Sequence, residues 1–312
     1  MAEEQRDKER AGTLAGAARE GERLAEAPGT TRPARSWARV RPGSALLIHA
    51  VLIVAGLAVA FPFYWMVITS LKTATETTSI PPTLFPKALT FSNYAEVWRA
   101  APFGRYFLNT VGIAGCVTLG VLFTSALAGH AFARMRFPGR QVLFVLLLAT
   151  LMIPFEVLLI PDYILITKLH WEDTYLAMIV PWMASVFGIF LMRQFFLGIP
   201  DELWDAARLD GCGHGTYLSR IAVPLAGSGL AVVAIVSFLG SWNALLWPLV
   251  VVTRHPEIRP IQLGLAVFTT EFGVYFHLVM AAATVTILPV LLLFLVAQRQ
   301  FVESIARTGV KG

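Results

Sequence analysis

Three groups of residues in this chain of 312 have types and spacings that could do chemistry. None has the arrangement needed for breaking bonds. The first is a short acidic run, in which Asp201, Glu202, Asp205 and Asp210 surround Leu203, Trp204, Ala206 and Ala207 before Gly211. Asp201, following Pro200, is suited to cap a helix, and Glu202 and Asp205 put negative charge where the helix dipole favours it. Gly211 is a natural helix stop, because glycine takes left-handed backbone at little cost. At helical spacing Leu203, Ala206, Ala207 and Asp210 share one face, while Trp204 and Arg208 lie together on another. Three acids, Glu202, Asp205 and Asp210, stand against the single Arg208. A helix resting on lipid headgroups would have a basic polar face instead. Protein contact is the better fit, and a short rigid helix of this kind can pass force from a partner to the segments flanking it.

The second group is Glu156 alone, set in the apolar run 153–161. A carboxylate in such a run is costly to bury and marks a functional position by default. Counted from Gln141 at the helical rise it lies roughly 22 Å along a straight helix. There it either lines a polar pathway or is solvated by water at the outer face. The third group is Trp242 with Asn243, an aromatic face beside a two-headed amide. That pair suits a sugar, whose hydroxyls take the amide and whose C–H surface takes the ring; packing between helices is the alternative use. Trp247 reads as an interfacial anchor. His49, His130 and His277, near the ends of apolar runs, read as structural. Cys116 and Cys212 have no disulfide or metal spacing. No G-x-x-x-x-G-K-[ST] phosphate loop occurs, so ATP and Mg have no site in this chain. No Ser/His/Asp grouping stands out for hydrolysis.

The elements that must position these residues are membrane helices. The chain is 56% hydrophobic and only 14% charged, with a mean hydropathy of +0.65, whereas a soluble domain carries about 25% charged residues. Six runs are long enough to cross a bilayer core, which takes about 20 helical residues. They cover 45–71, 106–133, 141–161, 174–192, 225–253 and 275–297. The expected fold is therefore all-α and polytopic, with six transmembrane helices over 45–297. Residues 1–44 form a disordered tail and 298–312 a second tail. Of the Lys and Arg residues, eighteen fall in the two tails and in the connections after the second and fourth spans, and seven in the other three connections. Positive charge stays inside, so both termini are cytoplasmic. Pro62, Pro154, Pro181, Pro248 and Pro289 fall inside spans, where each frees a carbonyl that needs a new partner. The formal charge of +5 does not indicate nucleic acid, because the arginines form no stripe with aromatics.

The acidic run resembles the E-A-A-x-x-D-G … I-x-x-P signature of permease subunits in ATP-binding-cassette importers. Asp205, Ala206 and Ala207 stand for the E-A-A, Asp210 and Gly211 for the D-G, and Ile221 and Pro224 for the closing element. Asp205 replaces the usual Glu, and Cys212 stands where Ala is common. The resemblance extends from about Ala45 to the C-terminus. It includes Ser70, Lys72 and Glu76; Phe91 to Tyr94; Ala131 to Arg140; Phe190 to Phe196; and Trp242 and Asn243 with Trp247, Pro248 and Leu249. It ends with Gln298, Arg299, Phe301, Val302 and the final Gly309 to Gly312. Together these resemble the second permease of maltose-type sugar transporters.

The resemblance implies a bacterial inner-membrane permease that works with a second permease, two ATPase subunits holding ATP and Mg, and an extracytoplasmic sugar-binding protein. Glu202, Trp204, Asp205, Ala206, Ala207, Asp210 and Gly211 would couple to the ATPase. Glu156, Trp242 and Asn243 would line the pathway, and Gln298, Arg299 and Lys311 would reach toward the ATPase interface. A permease for another solute, such as glycerol phosphate, is the nearest alternative. A secondary transporter without ATPase partners is the more distant one.

Overall fold

A computed structural model describes residues 42–270 and 275–308, with side chains over 46–266 and 275–295. The chain divides into two compact units, Met1–Ala60 and Phe61–Gly312. Every described element is helical. Helix α1 (Pro42–Ser70) begins in the first unit, where the side chains described over 46–60 are all exposed. In the second unit follow α2 (Ser92–Ala100), α3 (Phe103–Arg134), α4 (Arg140–Ala149) and α5 (Phe155–Lys168). Then come α6 (Tyr175–Ile179), α7 (Val186–Leu197), α8 (Asp201–Leu209) and α9 (Gly227–Trp242). The last are α10 (Leu246–Val251), α11 (Ile261–Thr270) and α12 (Phe276–Thr308).

Among the described residues, four stretches are long and apolar enough to cross a membrane: Leu46–Ser70, Phe103–Arg134, Tyr175–Leu197 and Phe276–Leu295. Two bent pairs raise the number to six if each is one span. The third expected span is not straight. Arg140–Met152 and Phe155–Lys168 meet at 101°, where Pro154 cannot donate to the preceding turn. The straight-helix depth assigned to Glu156 therefore fails, because Glu156 lies just past the bend. Helix α5 also continues through Pro161 to Lys168 and takes in a second acid, Asp162. The expected run 225–253 is two helices, since α9 stops at Trp242 and α10 starts at Leu246. The sharp turn there comes earlier, 82° between His214–Leu225 and α9. Pro62 and Pro289, by contrast, sit inside continuous helices. The first three residues of α1, 42–44, fall in the expected tail; the rest of that tail lies outside the described residues.

Helices α3 and α7 form the centre of the second unit. Neither contains proline, and they touch through small residues, the usual way for membrane helices to approach closely. A Cβ on Gly129 would lie 2.8 Å from the Met192 Cβ, and one on Gly188 would collide with the Ser125 hydroxyl. Met192 and Phe196 of α7 are fully buried beside them. Ser185 caps α7 by accepting a hydrogen bond from the Gly188 N–H at 3.1 Å. At the other end of the bundle the Ser70, Lys72 and Glu76 motif folds into one polar network. Asn93 donates to the carbonyls of Ser70 and Lys72, both at 2.8 Å, and Glu76 accepts from the Thr83 hydroxyl at 2.7 Å.

Candidate functional site

Helix α8 and its surroundings form the first part of the site. Pro200, with extended backbone, occupies the cap position, and Asp201 is the first helical residue without a capping bond. The expectation that Asp201 caps is thus corrected: the rigid ring of Pro200 already sets the chain direction there. At the other end Gly211 has φ +78°. Its N–H donates to the Arg208 carbonyl at 3.0 Å, and the Cys212 N–H donates to the Ala207 carbonyl at 2.9 Å. This is the paired Schellman closure, and Cys212 packs in the same apolar cluster as Ala207. Only Trp204 and Ala207 turn inward; Glu202, Leu203, Asp205, Ala206, Arg208 and Asp210 are exposed. The helix packs inward through two residues and presents the rest.

What holds it is an aromatic box that the sequence did not reveal. Trp204 stacks on His214 at 4.6 Å and meets Tyr217 edge-on at 4.7 Å. Buried His130, reaching in from α3, lies 3.3 Å from His214 between ring nitrogens and 5.8 Å from the Tyr217 ring. The structural role expected of His130 is therefore specific, because it joins α3 to the loop that carries α8. Arg134, four residues on, bonds the Asp201 carboxylate and the carbonyls of Phe196 and Ile199.

The second part of the site is a cavity of about 560 Å³. Its walls come from α3 (Thr110, Ile113, Val117, Val121), from Phe155, from 178–187, from 236–248 and from Pro260. Phe155, Trp182 and Trp247 meet edge-on at one side, with ring centroids 4.9–6.2 Å apart. The Trp247 indole donates to the Ala177 carbonyl at 2.8 Å, so it is fixed in the wall. Ser185, Ser237 and Ser241 supply hydroxyls, and among the described residues none in the lining is charged. None of the three expected pathway residues is in this lining. Trp242 is 1% exposed and packs between Phe107 and Phe238. Asn243 is exposed at the α9–α10 break, donating to the Leu239 carbonyl and accepting from Gln262. Glu156 is exposed on the first turn of α5. Instead of the aromatic-plus-amide pair expected of Trp242 and Asn243, the cavity wall has the aromatic faces of Trp182 and Trp247 beside serine hydroxyls. The side chains of Gln298 and Arg299, and the whole of Lys311, lie outside what is described.

At the far end of the bundle Asp173 ties two loops together. It accepts from the backbone N–H groups of Thr253 at 2.7 Å and Arg254 at 2.8 Å. Burial works against its charge, but the N–H groups of Arg254, Thr253 and His255 outweigh that and hold its carboxyl below the usual range. Beside it Asn109 donates to the carbonyls of Glu257 and Arg259 and accepts from the Tyr175 hydroxyl.

A bundle of apolar helices, broken at prolines around a mainly apolar cavity and carrying a short helix on one exposed loop, is the architecture of a membrane transport subunit. Its fold matches that of a bacterial ABC transporter that imports the acidic polysaccharide alginate, with a TM-score of 0.75 at 22% identity over 84% of this chain and 98% of that one. The chain belongs to the family of binding-protein-dependent transport system inner membrane components, which matches residues 120–307. It is accordingly a multi-pass inner-membrane permease subunit, in a family of transport subunits rather than enzymes. Among its relatives is the arabinooligosaccharides transport system permease protein AraQ of Halalkalibacterium halodurans, 36% identical over 90% of this chain and 99% of that protein. Another is the sn-glycerol-3-phosphate transport system permease protein UgpE of Yersinia enterocolitica, 33% identical over 85% of this chain and 97% of that protein.

Proposed function

We propose that this chain is one of two unlike permeases in an ATP-driven sugar importer, and that α8 is where separate ATPase subunits, which hold ATP and Mg, dock. An extracytoplasmic sugar-binding protein delivers the solute, and both termini of the chain lie in the cytoplasm. The observation that carries this reading is the construction of α8: anchored by Trp204 and Ala207, closed at Gly211, and exposing Glu202, Asp205, Ala206 and Asp210. ATP and the loaded binding protein each favour one of two states of the assembly, so the two sites are reciprocally coupled. The cavity supplies part of the sugar pathway, with Glu156 and Asn243 on surfaces that the second permease completes. Trp242, packed as it is, shapes the pathway by holding α9 against α3.

A phosphate ester is the second reading, favoured by the sn-glycerol-3-phosphate relatives. It would need cations, which the cavity lining lacks, so the second permease would have to provide them. A neutral sugar fits this chain better.

The test is at Asp205. Docked in an ATPase groove its carboxylate would be buried beside a cation, and losing one partner of such a pair costs about 3–5 kcal/mol, against at most about 1 for an exposed pair. Asp205→Lys is expected to abolish uptake and release the ATPase from the purified permease, while Asp205→Glu stays near parental. A Lys variant that transports and retains its ATPase like the parent would sink the docking assignment.

A further inference from the structure

Helix α8 is joined covalently to α7 on one side and to the bent segment before α9 on the other. Helix α3 is joined to it by nothing in the chain nearby, yet α3 lends the cavity four of its lining residues. It is also the longest proline-free helix around the cavity, 32 residues from Phe103 to Arg134. The segment leading from α8 to α9 contains a π-helical stretch, Leu218–Ala222, and the 82° turn. Such irregularities absorb displacement, whereas an unbroken helix transmits it. The stiffest element of the cavity wall is thus the one that needs a separate attachment to α8.

Arg134, the last residue of α3, has the geometry of that attachment. Its side chain is 7% exposed, although Asp201 is 83% exposed. One terminal nitrogen bonds the Asp201 carboxylate at the first residue of α8. The other bonds the Phe196 carbonyl, at 2.9 Å, near the end of α7, and the Ile199 carbonyl in the short linker before α8. Three segments up to 67 residues apart in sequence are therefore gathered on one planar guanidinium. That fork of donors is something lysine cannot reproduce. The Phe196 carbonyl also accepts from the Ile199 N–H at 3.3 Å, so Arg134 is an added donor at the end of α7, where the last carbonyls lack the regular helical partner. His130, one turn earlier, adds the aromatic contact to the same loop.

We propose that Arg134 is a positioning residue for transport: it locks α8 to α3, so that a displacement of α8 is delivered directly to the cavity wall at Val121, Val117 and Ile113. Val121 is thirteen residues from Arg134, about 20 Å along the helix. The proposal rests on the reading of α8 as the ATPase docking element, and its test separates the two.

The measurement is the distance between spin labels on Leu119 of α3 and Leu209 of α8, both exposed in the chain. It is made on the full permease–ATPase assembly in nanodiscs with Cys116→Ser and Cys212→Ser, with and without ATP plus orthovanadate. ATPase retention on the purified parent is scored first; if none is retained, the docking reading fails, whatever Arg134 does. With the ATPase retained, the parent should give one narrow distance that nucleotide leaves unchanged, because the two helices move as a unit. R134A should broaden it and make it shift by several ångströms with nucleotide. R134K keeps the charge but cannot span all three acceptors, and D201A removes only the exposed arm; both should loosen the distance by less, even if R134A fails to assemble. A parent distance that itself shifts with nucleotide, or R134K and D201A distributions that match the parent, would overturn the proposal while leaving the docking reading intact.

Discussion

At the scale of the residue, Gly211 shows how much one position can carry. Its backbone has φ +78°, a conformation that costs a side chain about 1–2 kcal/mol. No atom lies near where a Cβ would stand, so strain is the whole cost of substitution. Gly211→Ala should lower uptake and ATPase retention together, through a misdirected α8, with the permease still assembled; equal retention by Gly211→Ala and the parent would count against this. Asp173 gives a pH prediction. Its carboxyl is held below the usual range in the folded chain, so its contribution is fully present above the ordinary Asp pKa. It is lost only as the pH falls through the lowered value. Proteolysis of the 253–258 loop should therefore stay slow into mild acid for the parent, whereas Asp173→Ala should be cut readily across the whole range. Gly211 was legible because a stop after a capped acidic turn is a local pattern. The box of Trp204, His214, Tyr217 and His130 was not, because His130 and His214 are 84 residues apart and no periodicity links them. The sequence assigned the cap to Asp201 by residue type, but Pro200 before it had already fixed the turn.

At the scale of the element, two glycines separate packing from open space. Gly188 faces Ser125 across the α3–α7 contact, and overfilling a packed contact of this kind costs roughly 1–3 kcal/mol. Gly188→Leu should reduce the amount of assembled complex extracted in mild detergent. Gly240 lines the cavity, and nothing lies within 4 Å of its would-be Cβ. Gly240→Trp should assemble normally and block uptake; normal transport would mean that solute passes elsewhere. Hydropathy located the runs long enough to span, and α1 and α3 follow it; it missed the short apolar helix α11 and the continuation of α12 past 297 to Thr308. It did not show where a run breaks, because proline has opposite outcomes: Pro154 ends a helix at a 101° bend, while Pro289 sits in continuous helix. Neighbouring helices decide which, by re-satisfying the freed carbonyl or failing to. For the same reason the pathway candidates were displaced. Trp242 looked available on an idealised helix, but Phe107 and Phe238 close around it.

At the scale of the whole molecule, the proposed cytoplasmic C-terminus rests on the asymmetry of Lys and Arg. A reporter active only in the cytoplasm should work when fused after Gly312, and one active only outside should not; the reverse would overturn the proposed orientation. That charge bias, the apolar runs and the signature around Asp205 made the class readable from sequence, whereas the cavity requires residues from five separated stretches to meet. The cavity has one more consequence, for the energy supply of the cell. An importer opens toward each side of the membrane in turn, and any ion slipping through would drain the membrane potential, worth about 2.3 kcal/mol per charge at 100 mV. The lining offers no carboxylate, ammonium or guanidinium to replace a hydration shell, and stripping an ion of water in such surroundings costs many times that driving force. If the cavity is the pathway proposed above, the wall that accepts an uncharged ring would also be an electrical seal, letting the cell pass bulky neutral cargo without short-circuiting its own battery.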